Sequence, residues 1–111
     1  MTKRKKRSDR NHIIYQIILG ATGQTYIGMT QCTGRAIKRS VTSRWKRHIS
    51  RATHTDLTWP LCEAIRQYGP KAFTIEPIHI VRGKAEAHIL ETQIIREKQP
   101  ELNLVSITKN S

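Results

Sequence analysis

A carboxylate, an arginine, a histidine and two phenols stand where a protein interior or cleft is expected: Glu91, Arg44, His48, Tyr15 and Tyr26. By helical angle Glu91 falls between Ala87 and Ile95, inside the apolar arc of its own segment. A carboxylate there is costly to bury unless it is paired or holds a cation. A core salt bridge is the plain alternative. Arg44 and His48 are four residues apart, so they stack on one helix face. That face borders Trp45 and Ile49, and both side chains can look along the core towards a cleft. Lys46 and Arg47 point elsewhere, towards solvent or flanking phosphate. An exposed basic ridge would have the same spacing. Tyr15 and Tyr26 are two of only three tyrosines, and each sits in an apolar segment that also suits ordinary strand packing.

Together these groups suit hydrolysis of a phosphodiester. One carboxylate can hold a hard divalent cation whose shell is completed by waters and phosphate oxygens. A cation and an arginine stabilise charge on the transition state. An imidazole or a phenol can take a proton from water. A free phenol has a pKa of about 10, so a tyrosine base needs cations nearby.

The composition agrees with a polyanionic partner. The chain has 111 residues, the size of one ordinary domain, and 20 Lys and Arg against 8 Asp and Glu give it a net charge of +12. An anionic surface or an acidic protein would fit the charge alone. Residues 1–11 contain Lys3, Arg4, Lys5, Lys6 and Arg7 and read as a flexible basic arm that touches phosphate. Residues 12–111 read as a single domain. No stretch approaches the roughly 18 apolar residues of a membrane span, and no apolar signal region follows the arm, so a cytoplasmic protein without membrane contact is expected. Cys32 and Cys62 match no zinc spacing or disulfide framework and are expected as buried thiols.

The elements that must position the polar groups follow from periodicity. Residues 13–19, IIYQIIL, read as a buried strand, and TYIGM returns as its hairpin partner after the glycine-bearing GATGQ. Residues 30–43 begin as a loop, with a short helix starting near Arg35. From Ser43, a plausible N-cap, a helix places Val41, Trp45, Ile49 and Ala52 on one face. Pro60 and Gly69 bracket a helix with Leu61, Ala64, Ile65 and Tyr68 as its apolar stripe. Residues 73–81 read as a strand that Pro77 confines to an edge or interrupts. Residues 84–98 read as a helix with Ile89, Leu90, Ile94 and Ile95 as its apolar residues, ended by Gln99-Pro100. ELNLVSI suggests a short closing strand. The order β-β-α-α-β-α predicts an α+β layer.

In these motifs the sequence resembles the GIY-YIG nucleases over residues 13–103. IIYQI looks like the first motif, with Ile13 where the family has glycine, and TYIGMT looks like the second. RWKRH is similar to the arginine-to-histidine helix, LCEAIRQYGPKAF to the middle helix and strand start, and ETQIIREKQPELN to the last helix with its glutamate and the asparagine beyond.

The resemblance implies a small three-stranded antiparallel sheet flanked by helices and a metal-dependent DNA endonuclease leaving 5′-phosphate and 3′-hydroxyl ends. It implies one divalent ion, Mg2+ with Mn2+ as substitute, held by Glu91. Arg44 would stabilise the scissile phosphate, Tyr26 would position or deprotonate the attacking water, and Tyr15 and His48 would complete the site. Asn103 would brace it, and Gly28 would allow close approach of the backbone. Double-stranded DNA would be the substrate, with a homodimer or a partner protein left open for target choice. The segment between Gly28 and Arg44 is longer than in many members, which makes Arg35 a rival arginine. Arg44 is preferred because Trp45 and His48 follow it at the family spacing. A non-catalytic DNA-binding module on the same scaffold and a structure-specific repair nuclease subunit are the alternatives.

Overall fold

The computed structural model describes residues 10–32 and 36–103. The arm residues Lys3, Arg4, Lys5, Lys6 and Arg7, the rival Arg35, and the last part of the expected closing strand lie outside the described residues.

Strand β1 (Asn11–Leu19) pairs antiparallel with β2 (Thr25–Gln31) and with β3 (Phe73–Arg82), giving a three-stranded sheet in the order β2-β1-β3. The central position of β1 explains its nearly unbroken apolar run, because both of its faces are covered. Ile13, Tyr15, Ile17 and Leu19 enter the larger core with Val41, Ala52, Leu61, Cys62 and Ile65. Ile14 turns to the opposite face and packs with Ile27 and Ile94. The hairpin turn places Gly23 at φ 78°, a left-handed conformation that glycine adopts without strain.

β3 is an edge strand, as Pro77 requires, and it also breaks there. Ile14 pairs with His79 and Tyr15 with Pro77, so Ile78 is an extra residue that bulges the strand. Phe73 and Ile75 before the bulge serve the larger core, whereas Ile78 and Val81 after it serve the smaller one. Ile80 remains half exposed.

Helices α1 (Ile37–His54) and α2 (Pro60–Tyr68) cover one face of the sheet, and α3 (Lys84–Lys98) covers the other. α1 begins at Ile37 and runs without a break, so Ser43 lies within it and is not a cap. The reason is burial: Val41 enters the core and Ile37 packs against it, which outweighs the polar sequence around them. Ser40 fits the buried face because its hydroxyl donates to the Ala36 carbonyl at 2.7 Å. Arg66 of α2 ties off the C-terminal end of α1, donating to Ala52 O at 2.8 Å and Thr55 O at 2.9 Å.

Pro60 opens α2 and Gly69, at φ 84°, closes it. The stripe is right for Leu61, Ala64 and Ile65, but Tyr68 is exposed. In α3, Ala87 and Ile94 are buried, Leu90 and Ile95 are half-buried, and Ile89, though one of the helix's apolar residues, is 61% exposed. The sheet reaches only one arc of α3, and Ile89 lies outside it. Cys32 and Cys62 are both buried, as expected.

Residues 101–103 form a turn and bend rather than a strand, yet they complete the outer edge of β2. Asn103 mimics a strand peptide: its Oδ1 accepts from Ile27 N and its Nδ2 donates to Ile27 O, both at 2.8 Å. Leu102 N donates to Thr25 O at 2.9 Å. These bonds satisfy edge groups of β2.

Candidate active site

Tyr15 and Tyr26 share the sheet face under α1, because Ile17, opposite Tyr26, has the parity of Tyr15. Their ring centroids lie 6.2 Å apart. Gly28 stands directly opposite Tyr15 in the register. A Cβ on Gly28 would overlap the Tyr15 Oη and Cζ and lie 2.8 Å from Tyr26 Cε1. Glycine is therefore required by space here, and both phenols lean over the position its side chain would fill.

α1 brings two more groups over the same face. His48 is 4% exposed and packs edge-on against Tyr26, with centroids 5.1 Å apart. A 2.8 Å hydrogen bond joins His48 Nε2 and Tyr15 Oη. Trp45 fixes the helix by packing on Phe73, 5.4 Å between centroids. Arg44, one turn before His48, buries its Nε without a hydrogen-bond partner among the described residues. Such an unsatisfied donor is costly and calls for a ligand or a water. Lys46 and Arg47 are exposed, as their spacing predicts.

Glu91 comes from α3, on the opposite layer, with its side chain 17% exposed. Its only close partner among the described residues is His88 Nδ1 at 3.6 Å, and that histidine side chain is 70% exposed. The charges of Glu91 and Arg44 both act on Tyr26, and Arg44 acts on Glu91. Tyr15, Tyr26 and His48 thus meet directly under α1, and the charges of Arg44 from α1 and Glu91 from α3 reach them. Gly28 and Asn103 support them, one by leaving space and one by holding β2.

The fold has a structural counterpart. The chain is similar to the catalytic domain of a mutant of the intron endonuclease I-TevI, with a TM-score of 0.64 over 91% of this chain and 97% of that one, at 18% identity. The sequence itself matches no family model and no curated protein. The chain has the GIY-YIG nuclease fold.

On this GIY-YIG scaffold, burial sets the protonation states. Burial, aided by the neighbouring Tyr26, pushes the Tyr15 phenol far above its usual range, and Arg44 only partly opposes this. Burial also raises Tyr26, again against the pull of Arg44. Both phenols keep their protons at neutral pH. His48 is lowered to about 4, first by burial and then by the charges of Arg44 and Arg51, so its imidazole is neutral. Burial raises the Glu91 carboxyl, with His88 and Arg44 pulling the other way.

The residues fit a lightly ligated metal rather than a protein cage. Among the described residues no group of three or more His, Cys, Asp or Glu is placed to hold an ion. Glu91 accepts no hydrogen bond from any described residue, and its carboxylate would gain from a cation. One carboxylate with waters and substrate oxygens is a usual setting for Mg2+.

Two groups near the site escaped the sequence reading. Arg51, one turn beyond the histidine and stacked 5.1 Å over the exposed Trp59 ring, adds a charge that His48 and Tyr26 both sense. His12, 5% exposed, binds the Arg10 carbonyl through Nδ1 at 2.8 Å. The four-residue periodicity of α1 carried the signal for Arg51; nothing in the sequence distinguished His12.

Proposed function

We propose that the chain is a metal-dependent endonuclease that hydrolyses phosphodiester bonds of double-stranded DNA to 5′-phosphate and 3′-hydroxyl ends. The observation that carries this reading is a buried Arg44 Nε without a hydrogen-bond partner among the described residues, together with a half-buried Glu91 carboxylate whose close partner, His88, is largely exposed. The first is a donor suited to a phosphate oxygen, and the second an acceptor suited to a cation.

Glu91 would hold one divalent ion, Mg2+ with Mn2+ as substitute, which when bound supplies Lewis-acid stabilisation and lowers the pKa of water. Arg44 donates to a non-bridging oxygen of the scissile phosphate and stabilises the charge that develops there. Tyr26 keeps its proton, so it positions the attacking water by hydrogen bonding. Tyr15 and neutral His48 form a proton-handling pair behind it. Water oxygen bonds to phosphorus as its proton passes to the Tyr15–His48 pair, the P–O3′ bond breaks, and the leaving 3′ oxygen takes up a proton in exchange. Asn103 keeps β2, and with it Tyr26, in register. The basic residues Lys3, Arg4, Lys5, Lys6 and Arg7 ahead of β1 add sequence-independent phosphate contacts. One site per chain cuts one strand, so a double-strand break requires two copies or two successive events.

The test is incubation of supercoiled plasmid with the protein in Mg2+ and in EDTA. Nicking or linearisation that requires the metal supports the reading. Firm DNA binding without cleavage in either condition favours a non-catalytic binding module instead.

A further inference from the structure

A groove of about 610 Å3 opens beside Arg44, bounded by α1, the far end of β2 and the start of α3. Its lining includes Arg39, Arg44, Arg47 and Lys84 and contains no Asp or Glu. Arg39, Arg47 and Lys84 are exposed and have no ion-pair or hydrogen-bond partner among the described residues. Uncompensated cations lining a concave surface focus a field that favours a polyanion.

Geometry narrows the ligand further. Arg39, Ser43 and Arg47 recur every four residues and form a ridge along α1. At the helix rise, Arg39 and Arg47 are about 12 Å apart along the axis, the axial span of three to four phosphates on one strand. Lys84 faces this ridge from α3. The buried His12 also lines the groove. A carbonyl can only accept, so His12 donates from Nδ1 to Arg10 O, and its Nε2 is left without a partner among the described residues. Arg44, which also lines the groove, buries an Nε that has no partner among the described residues.

We propose that this groove seats the sugar-phosphate backbone of the nucleic-acid strand on one side of the scissile bond, with Arg39, Arg47 and Lys84 each contacting a phosphate. The proposal rests on the nuclease reading above and assigns it a path for the strand. Lys46, exposed but absent from the groove lining, has no part in this path.

The experiment measures binding apart from cleavage. A fluorescent DNA duplex of about 20 base pairs is titrated in EDTA at several salt concentrations between about 50 and 200 mM. Three proteins are compared: the wild type, a groove variant (Arg39→Ala, Arg47→Ala, Lys84→Ala), and a control variant (Lys71→Ala, Arg96→Ala, Lys98→Ala) that removes the same charge from exposed positions outside the groove. Thermal melting establishes that each variant is folded. The groove variant should bind about tenfold or more weakly and lose about two to three from its salt slope, while the control shifts affinity less than about threefold. Equal loss in both variants, or none in the groove variant, overturns the groove. Plasmid cleavage is scored separately. Selective loss of binding in a protein that never cleaves would leave the groove and remove the nuclease reading. Cleavage with groove binding unchanged would do the reverse.

Discussion

Tyr15 and His48, 33 positions apart in the chain, share a buried 2.8 Å hydrogen bond that couples the central strand to α1. The bond also fixes an uncharged imidazole at the site. His48 titrates at about 4 when folded, against 6.5 for a free imidazole. Between those values the unfolded chain takes up a proton that the folded chain refuses. Stability from this group is complete above about pH 6.5 and is lost as the pH falls towards 4. Urea denaturation at about pH 7.5 and 4.5 should show the wild type losing about 2 to 3 kcal/mol more than His48→Gln over that interval. Equal losses would place the imidazole outside the buried cluster.

Gly28 supplies a second test. Because its absent Cβ position is filled by the Tyr15 and Tyr26 rings, Gly28→Ala must displace both. Overpacking of this kind costs about 1 to 3 kcal/mol, and cleavage should fall more steeply than stability. Gly20→Ala is the comparison, since a Cβ there meets only the Ala72 carbonyl at an ordinary 3.6 Å. Thermal melting should show a clear loss for Gly28→Ala and a change within about 0.5 kcal/mol for Gly20→Ala. A Gly28→Ala protein that melts and cleaves like the wild type would refute the crowding argument.

Arg44 and Arg35 can be separated by rate. Arg44 is held one turn before His48, with its Nε buried and unsatisfied. Removing a preorganised donor of this kind costs roughly a hundredfold to a thousandfold in rate. Single-turnover cleavage should therefore fall by about that factor for Arg44→Ala and stay near wild type for Arg35→Ala. The opposite ranking would shift the catalytic register to the segment before α1.

Much of this was legible because burial follows period. The nearly unbroken apolar run of β1 signalled a buried strand, Pro60 and Gly69 bracketed α2, and Pro77 signalled an edge or a break in β3, which has both. Glu91 stood out as a carboxylate inside an apolar arc, whereas Arg44, His48, Tyr15 and Tyr26 only bordered apolar positions and took their roles from the resemblance to the GIY-YIG nucleases. The continuity of α1 was not legible. The sequence suggests a short helix from near Arg35 and another from Ser43, and the packing of Ile37 and Val41 against the core joins them into one. Ile89 misled for the converse reason: periodicity marks an apolar residue but not whether the sheet extends beneath it. The basic groove joins residues from β1, β2, α1 and α3, so it exists only once the chain has folded.

The central claim is that Glu91 and the groups around it hydrolyse DNA with a metal. Its most direct measurement is the single-turnover cleavage rate of a labelled duplex in Mg2+, with enzyme in excess, for the wild type and for Glu91→Gln. The substitution removes the carboxylate proposed to hold the metal but leaves a side chain of the same shape. The account predicts cleavage by the wild type, none in EDTA, and a rate at least about a thousandfold lower for Glu91→Gln, with duplex binding retained. A Glu91→Gln protein that cleaves at the wild-type rate would contradict it.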